Sequence, residues 1–237
     1  MVINRDTYLN QLIRKKRNGL IKIITGIRRC GKSYLLFELY HAYLNSIGVE
    51  DNFILELSLD DEVNAKFRNP LELGNYIRSL IIEQDKEYYI FLDEIQHVKE
   101  IMNPWLDDPD EKISFVDVLL GLMKIKNADI YVTGSNSKML SSDIVTQFRD
   151  RGDEIRLYPL SFKEFYDAFP EKKENAWKEY FTYGGLPRVM SLSTHKEKSD
   201  YLQNLFKNTY MKDVLDRHKI RNDKHILDDL INIVSSS

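Results

Sequence analysis

At 237 residues, 43% hydrophobic and 11% aromatic, the chain carries enough apolar material for a large buried core, which excludes a disordered or fibrous class. Its single cysteine, Cys30, excludes an intrachain disulfide and a multi-cysteine zinc site, in keeping with a reducing compartment. A net charge of −3 gives no overall attraction to nucleic acid, and no apolar stretch of signal-peptide or bilayer-spanning length occurs, so a cytoplasmic protein without a membrane partner is expected.

Along the chain, the cationic run Arg14 to Arg17 reads as a solvated helix end rather than a phosphate contact. "GLIKIIT" is a short β-branched run that ends at Gly26, and "GKSYLLFELYHAYLNSIG" carries apolar residues at helical spacing to Gly48: strand, loop, helix. Residues 52–58 predict a second strand, and residues 70–84 a helix with Pro70 in its first turn. Residues 87–94, "EYYIFLDE", predict a third strand, apolar enough to be covered on both faces. An acidic, irregular segment then leads to a helix from Phe115, a strand over 128–134, a helix ending near Phe148 and a fifth strand over 153–160. Strands that alternate with helices need crossovers, so the fold class is α/β: three layers with a mostly parallel five-stranded sheet, whose ligands bind beyond the carboxyl ends of the strands.

From residue 161 the pattern is helical only. It breaks at Gly184-Gly185, with Pro187 positioned to open the next helix, and continues as a long amphipathic helix from His195. This divides the chain into a core over 1–160 and a small all-helical lid over 161–237. The lid runs into a C-terminal region that reads as truncated, because the final helical pattern ends with no stop signal.

The chemistry concentrates in two places. Gly26, Gly31, Lys32 and Ser33 fit G-x-x-x-x-G-K-[ST], set between a predicted strand and a predicted helix, where backbone N–H groups and the helix dipole converge on an anion. The stretch Gly26, Ile27, Arg28, Arg29, Cys30, Gly31, Lys32, Ser33 and Tyr34 is therefore expected to line a nucleotide, with Lys32 on the β- and γ-phosphates and Ser33 on Mg²⁺. Asp93, at the end of the third strand, is the second expected Mg²⁺ ligand. Glu94 beside it is suited to orient and polarise the attacking water.

Ser135 and Asn136, after the fourth strand, are candidates for the γ-phosphate or the water, and Arg149 or Arg151 for a guanidinium supplied by a neighbouring subunit. The five histidines show no ligand spacing, and His218 with His225 reads as a solvated face. Trp105 and Trp177 are expected to pack rather than stack on bases.

Taken together, "ITGIRRCGKSYLL", "YIFLDEIQ", "YVTGSNSKML", "EIRLYPLSFKEF" and "YGGLPRV" resemble a prokaryotic family of AAA-type P-loop ATPases over nearly the whole chain. The resemblance implies a strand inserted between those bearing the two nucleotide motifs, Glu94 as the water-activating base, and ATP with Mg²⁺ as cofactors. It implies a nucleotide-base contact for Pro187, through similarity of "GGLP" to the lid motif of signal-transducing ATPases. It also implies an adenine-side role for Ile3 and Arg5 in "INRD", although Asn4 stands where that motif has glycine. Members of the family carry a C-terminal domain of unknown function after the core, through which a DNA or protein partner could act, and assembly into a homo-oligomer would bring the arginine into play.

Three readings compete. One is an ATPase that couples turnover to conformational change on a macromolecular partner, another a slow nucleotide-gated switch or scaffold, and the third a small-molecule P-loop kinase. The Asp93-Glu94 pair favours hydrolysis over transfer to a metabolite, and the absence of N-K-x-D disfavours guanine nucleotides.

Overall fold

The structure is a computed structural model that describes residues 2–134, 148, 151–169 and 173–207. Ser135, Asn136, Arg149, His218 and His225 lie outside the described residues. By internal contacts the chain divides into two units, Met1–Ser191 and Leu192–Ser237.

In the first unit, strands β1 (Ile21–Thr25), β2 (Ile54–Ser58), β3 (Tyr88–Asp93), β6 (Ala128–Thr133) and β7 (Gly152–Arg156) form one sheet in the order β2-β3-β6-β1-β7. All its pairings are parallel, and two further short strands, β4 (Ile101–Met102) and β5 (Lys112–Ile113), form a separate antiparallel ribbon. Strand β6 thus lies between β1 and β3, which is the insertion that the family resemblance implies.

The alternation of side chains explains the three layers. Ile21, Ile23, Ile90, Leu92, Ile130 and Val132 face one side and pack with Leu73 and Ile77 of helix Pro70–Leu80 and with Leu119 and Leu122 of helix Phe115–Leu122. Ile24, Tyr89, Phe91, Tyr131 and Ile155 face the other side. There they meet Leu12 of helix Asp6–Lys15 and the helix that follows the glycine loop, Lys32–Tyr34 continuing through a π-helical stretch Leu35–Tyr40 into His41–Ser46. Both cores are built from residues at or near zero exposure.

Several predicted boundaries move for visible reasons. Helix Pro70–Leu80 stops short of residue 84 because the backbone N–H groups of Ile82 and Glu83 turn to the Tyr88 hydroxyl, at 3.3 and 3.1 Å, and Asn127 holds the Glu83 carbonyl at 2.9 Å. Strand β7 ends at Arg156 rather than 160: one more N–H, from Leu157, reaches Thr25 O at 2.8 Å, after which β1 gives way to the glycine loop. The acidic segment expected to be irregular contains the β4–β5 ribbon. Trp105, expected to pack, is 73% exposed, whereas Trp177, 57% exposed, packs edge-on against Phe162 with ring centroids 5.0 Å apart.

Residues 161–191 are helical among those described: Phe162–Ala168, Ala176–Tyr183 and 3₁₀ turns at Lys173–Asn175 and Pro187–Ser191. Leu160, Phe165 and Ala176 form a small core with Ile3 from the other end of the unit. In the second unit, helix His195–Leu205 begins with a capping box between Thr194 and Glu197. No described helix is long and apolar enough to cross a membrane.

One buried ionic group sits under the loop helix. Lys22 is fully buried and paired with Asp129, and its ammonium also donates to Leu20 O at 2.9 Å. Burial holds the Lys22 pKa below the ordinary lysine value despite the Asp129 charge. Asp129 further accepts from Arg17 N–H at 2.9 Å and from the Tyr131 hydroxyl at 2.7 Å, and Tyr131 shares a 2.6 Å hydrogen bond with Tyr40 of the π-helical stretch. Removing one member of such a pair strands the other charge. Asp129→Ala is therefore expected to cost about 3–5 kcal/mol in urea unfolding. Lys22→Met should cost less, because Asp129 keeps two donors; the reverse order would show that the pair is not what holds this region.

Candidate nucleotide site

The glycine loop leaves β1 where only glycine fits. Gly26 has φ +148°, and a Cβ there would come 2.3 Å from the backbone carbonyl oxygen of Leu157. The loop then turns through two left-handed residues, Arg29 at φ +68° and Gly31 at φ +99°, before Lys32 opens the helix. Cys30 between them is buried; burial pushes its thiol pKa up, and the neutral Sγ–H lies 3.7 Å from Leu157 O. Ile27 and Arg29 are exposed and Arg28 is half-buried, so the loop shows its arginine pair to its surroundings while its glycines and Cys30 pack inward.

Lys32 is only 4% exposed and folds back over the loop, donating to Gly26 O at 3.1 Å and Ile27 O at 3.2 Å. At the next residue, Ser33 Oγ donates to Asp93 Oδ2 at 2.7 Å across the gap between β1 and β3. Thr133, at the end of the intervening β6, donates to the other Asp93 oxygen and accepts from Glu94 N–H at 3.1 Å. One threonine hydroxyl thus bridges the two carboxylate residues.

Burial pushes the Asp93 pKa up; hydrogen bonds from Thr133 and Ser33 oppose this, and the neighbouring carboxylates Glu94 and Asp60 add to it. Asp93 has no ion-pair partner among the described residues. Hard oxygen donors from Ser33 and Asp93, side by side, fit a divalent cation such as Mg²⁺ accompanied by phosphate oxygens. Among the described residues no cluster of three or more His, Cys, Asp or Glu could hold a metal by itself, so phosphate or water would have to complete the shell.

Glu94 takes a left-handed backbone conformation, φ +54°, directly after the strand, and its carboxylate accepts from the Gln96 side-chain amide. This turn follows directly on Asp93 at the carboxyl end of β3, and the Gln96 amide oxygen is buried without a hydrogen-bond partner among the described residues.

The N-terminal residues close the loop from behind. Arg5, 2% exposed, donates to Cys30 O at 3.3 Å and to Tyr158 O at 2.6 Å, pairs with Glu164 at 3.0 Å and stacks on Tyr8. Its guanidinium links the loop, the chain after β7 and helix Phe162–Ala168. Ile3 donates its N–H to the Tyr34 hydroxyl at 3.2 Å. Pro187 comes near from the helical side, its Cγ 3.9 Å from where a Cβ on Gly31 would stand.

Gly26 to Tyr34, Asp93, Glu94, Pro187, Ile3 and Arg5 therefore gather in one region. Arg151 does not join them. Exposed, it precedes β7 and accepts from Ile21 N–H at 3.0 Å, at the start of β1, a whole strand of about 16 Å from its own loop. Thr133 and Gln96 were missed in the sequence. The signal for Thr133 was its place as the last residue of an apolar strand, one before the glycine; Gln96 carried none.

The sequence profile of the family described as "AAA domain" matches residues 18–166. An uncharacterized protein of Haemophilus influenzae is 32% identical over 238 residues, covering 97% of this chain and 54% of its own length. An uncharacterized protein of Methanocaldococcus jannaschii is 29% identical over 241 residues, covering 95% of this chain and 47% of its own. The chain thus spans about half the length of these relatives. Among solved structures, AMPPCP-bound DnaA from Aquifex aeolicus superposes with a TM-score of 0.50 at 17% identity, over 91% of this chain and 67% of that one, a likeness of fold. With the profile covering well over half of its residues, the chain belongs to the AAA domain family of P-loop ATPases.

Proposed function

We propose that this chain binds ATP with Mg²⁺ and hydrolyses it, using turnover to change conformation against a macromolecular partner. The observation that carries the reading is the contact of Ser33 with Asp93, with Thr133 joining Asp93 to Glu94. Bound Mg²⁺ would neutralise charge on the transferring phosphoryl group. The protein's own part is positional. Lys32 leaves the carbonyls of Gly26 and Ile27 for the β- and γ-phosphates, Ser33 and Asp93 hold the metal, and Glu94 orients a water and takes its proton. Thr133 keeps the Asp93 carboxylate and the Glu94 backbone in register. Arg28 and Arg29 stand at the rim of the cradle, and Pro187 with Ile3 and Arg5 borders the base side. In this division of labour, 1–160 is the ATPase core and the helical residues from 161 its lid.

The test is steady-state phosphate release by the 237-residue chain with Mg²⁺ and after EDTA. Hydrolysis that EDTA abolishes is expected; ATP binding with no release above buffer would overturn the hydrolase reading and leave a nucleotide-gated switch. The restraint of Glu94 by Gln96 is what favours that second reading.

With Arg151 a strand away from its own loop, it can serve only a neighbouring copy. Mixing a Glu94→Gln chain with an Arg151→Ala chain is expected to restore part of the activity that each lacks alone, because mixed assemblies contain sites with both groups intact. No recovery across mixing ratios would remove Arg151 from the mechanism.

A further inference from the structure

Between Glu94 and helix Phe115–Leu122 the chain leaves the sheet as the β4–β5 ribbon, paired Ile101 to Ile113 and Met102 to Lys112. Its base is fixed by buried Ile95 and Val98 and by Lys99 N–H on Arg68 O at 2.8 Å. Its tip is ordered by its own polar groups. Asn103 N–H donates to Glu111 O at 2.9 Å, the Asn103 side chain accepts from Trp105 N–H at 3.1 Å, and Asp108 accepts from Asp110 N–H at 2.9 Å.

On this ordered tip Met102, Trp105 and Leu106 are 61%, 73% and 52% exposed. Three large apolar side chains held out together on one short ribbon form a surface that gains free energy when covered. Around them, residues 99–112 carry five carboxylates, Glu100, Asp107, Asp108, Asp110 and Glu111, against two lysines. All five are exposed, and none is ion-paired among the described residues.

We propose that the Met102–Glu111 tip is a docking surface for a cationic amphipathic polypeptide, a segment in which Lys or Arg flanks large apolar side chains. The charge selects the class. A nucleic acid or an anionic lipid surface would be repelled by the carboxylates, whereas a basic polypeptide sets its cations against them while its apolar residues cover Trp105 and Leu106. An aromatic centre inside a charged rim is the usual anatomy of a binding hot spot. The small tip fits a weak, exchangeable complex, with a Kd on the order of micromolar.

The test uses Trp177→Phe protein, in which Trp105 is the sole tryptophan, titrated without nucleotide so that the result does not depend on ATP hydrolysis. A peptide of Lys and Leu is expected to shift the Trp105 emission to the blue with a micromolar midpoint. Peptides of Glu and Leu, or of Lys and Ser, and a DNA duplex should leave it unchanged. By anisotropy of a labelled Lys/Leu peptide, Trp105→Ala/Leu106→Ala and Asp107→Asn/Asp108→Asn/Asp110→Asn should each weaken binding at least tenfold. No emission shift, equal binding of the Lys/Ser peptide, a response to DNA, or unchanged affinity in either multiple variant would each overturn the proposal.

Discussion

Lys32→Ala is expected to lose ATP binding while keeping its fold. The Lys32 ammonium is nearly buried, and the loop carbonyls of Gly26 and Ile27 are the partners it leaves when a polyphosphate arrives. Two charge-assisted hydrogen bonds to phosphate oxygens contribute about 1.5–3 kcal/mol each, so the loss in affinity is at least about a hundredfold. The Gly26 carbonyl left behind is buried and the Ile27 carbonyl partly so, so the variant should stay folded but unfold at a somewhat lower midpoint without nucleotide. Calorimetric titration with ATP and Mg²⁺ checks this directly. An unchanged Kd would show that the glycine loop is a turn and nothing more.

Glu94→Gln should separate binding from chemistry. The substitution keeps size, rotamers and tolerance for the left-handed backbone, and removes only the charge that can accept a proton from water. General-base catalysis contributes roughly 10²–10⁴-fold, so single-turnover hydrolysis should fall within that range while the Kd for ATP stays within about twofold. A variant as fast as the parent would exclude Glu94 as the base. Gln96→Ala adds a discriminating arm, because it removes the side chain that holds the Glu94 carboxylate. Faster basal turnover would identify that contact as a restraint to be released, as in a switch; slower turnover would identify it as an aid to orientation.

Much of this site was legible in the residues themselves. Strands β1 and β3 announce themselves as short apolar runs covered on both faces, and the residues with chemistry stand where those runs end, at Gly26 and Asp93. Local pattern carries no information on which strands become neighbours; the entry of β6 between β1 and β3 is implied only by the family resemblance, and nothing in the residues points to the contact of Thr133 with Asp93. Of helix Asp6–Lys15 only the cationic end, Arg14 to Arg17, stands out in the sequence; Leu9, Leu12 and Ile13 fall at helical spacing and pack against the loop helix, but the run is short and flanked by charge. The β4–β5 ribbon had no such signal. Two residue pairs are too few for alternation to show, and its tip is ordered by side-chain-to-backbone hydrogen bonds. Arg5 illustrates another limit: the family resemblance implies an adenine-side role for it, but nothing in the sequence points to its bracing of Cys30, Tyr158 and Glu164.

That arginine bears on where the molecule can be cut. The family profile begins at residue 18, yet Arg5 braces the loop from behind and Leu12 fills the groove between the loop helix and the sheet. A fragment started at the profile boundary would take Leu12 out of the cluster it shares with Leu35, Leu36 and Tyr40 and leave the Cys30 carbonyl without its guanidinium. A nucleotide-binding fragment should therefore begin at or before Ile3, because the support of the glycine loop from Arg5 and of its helix from Ile3 and Leu12 lies ahead of the profile boundary.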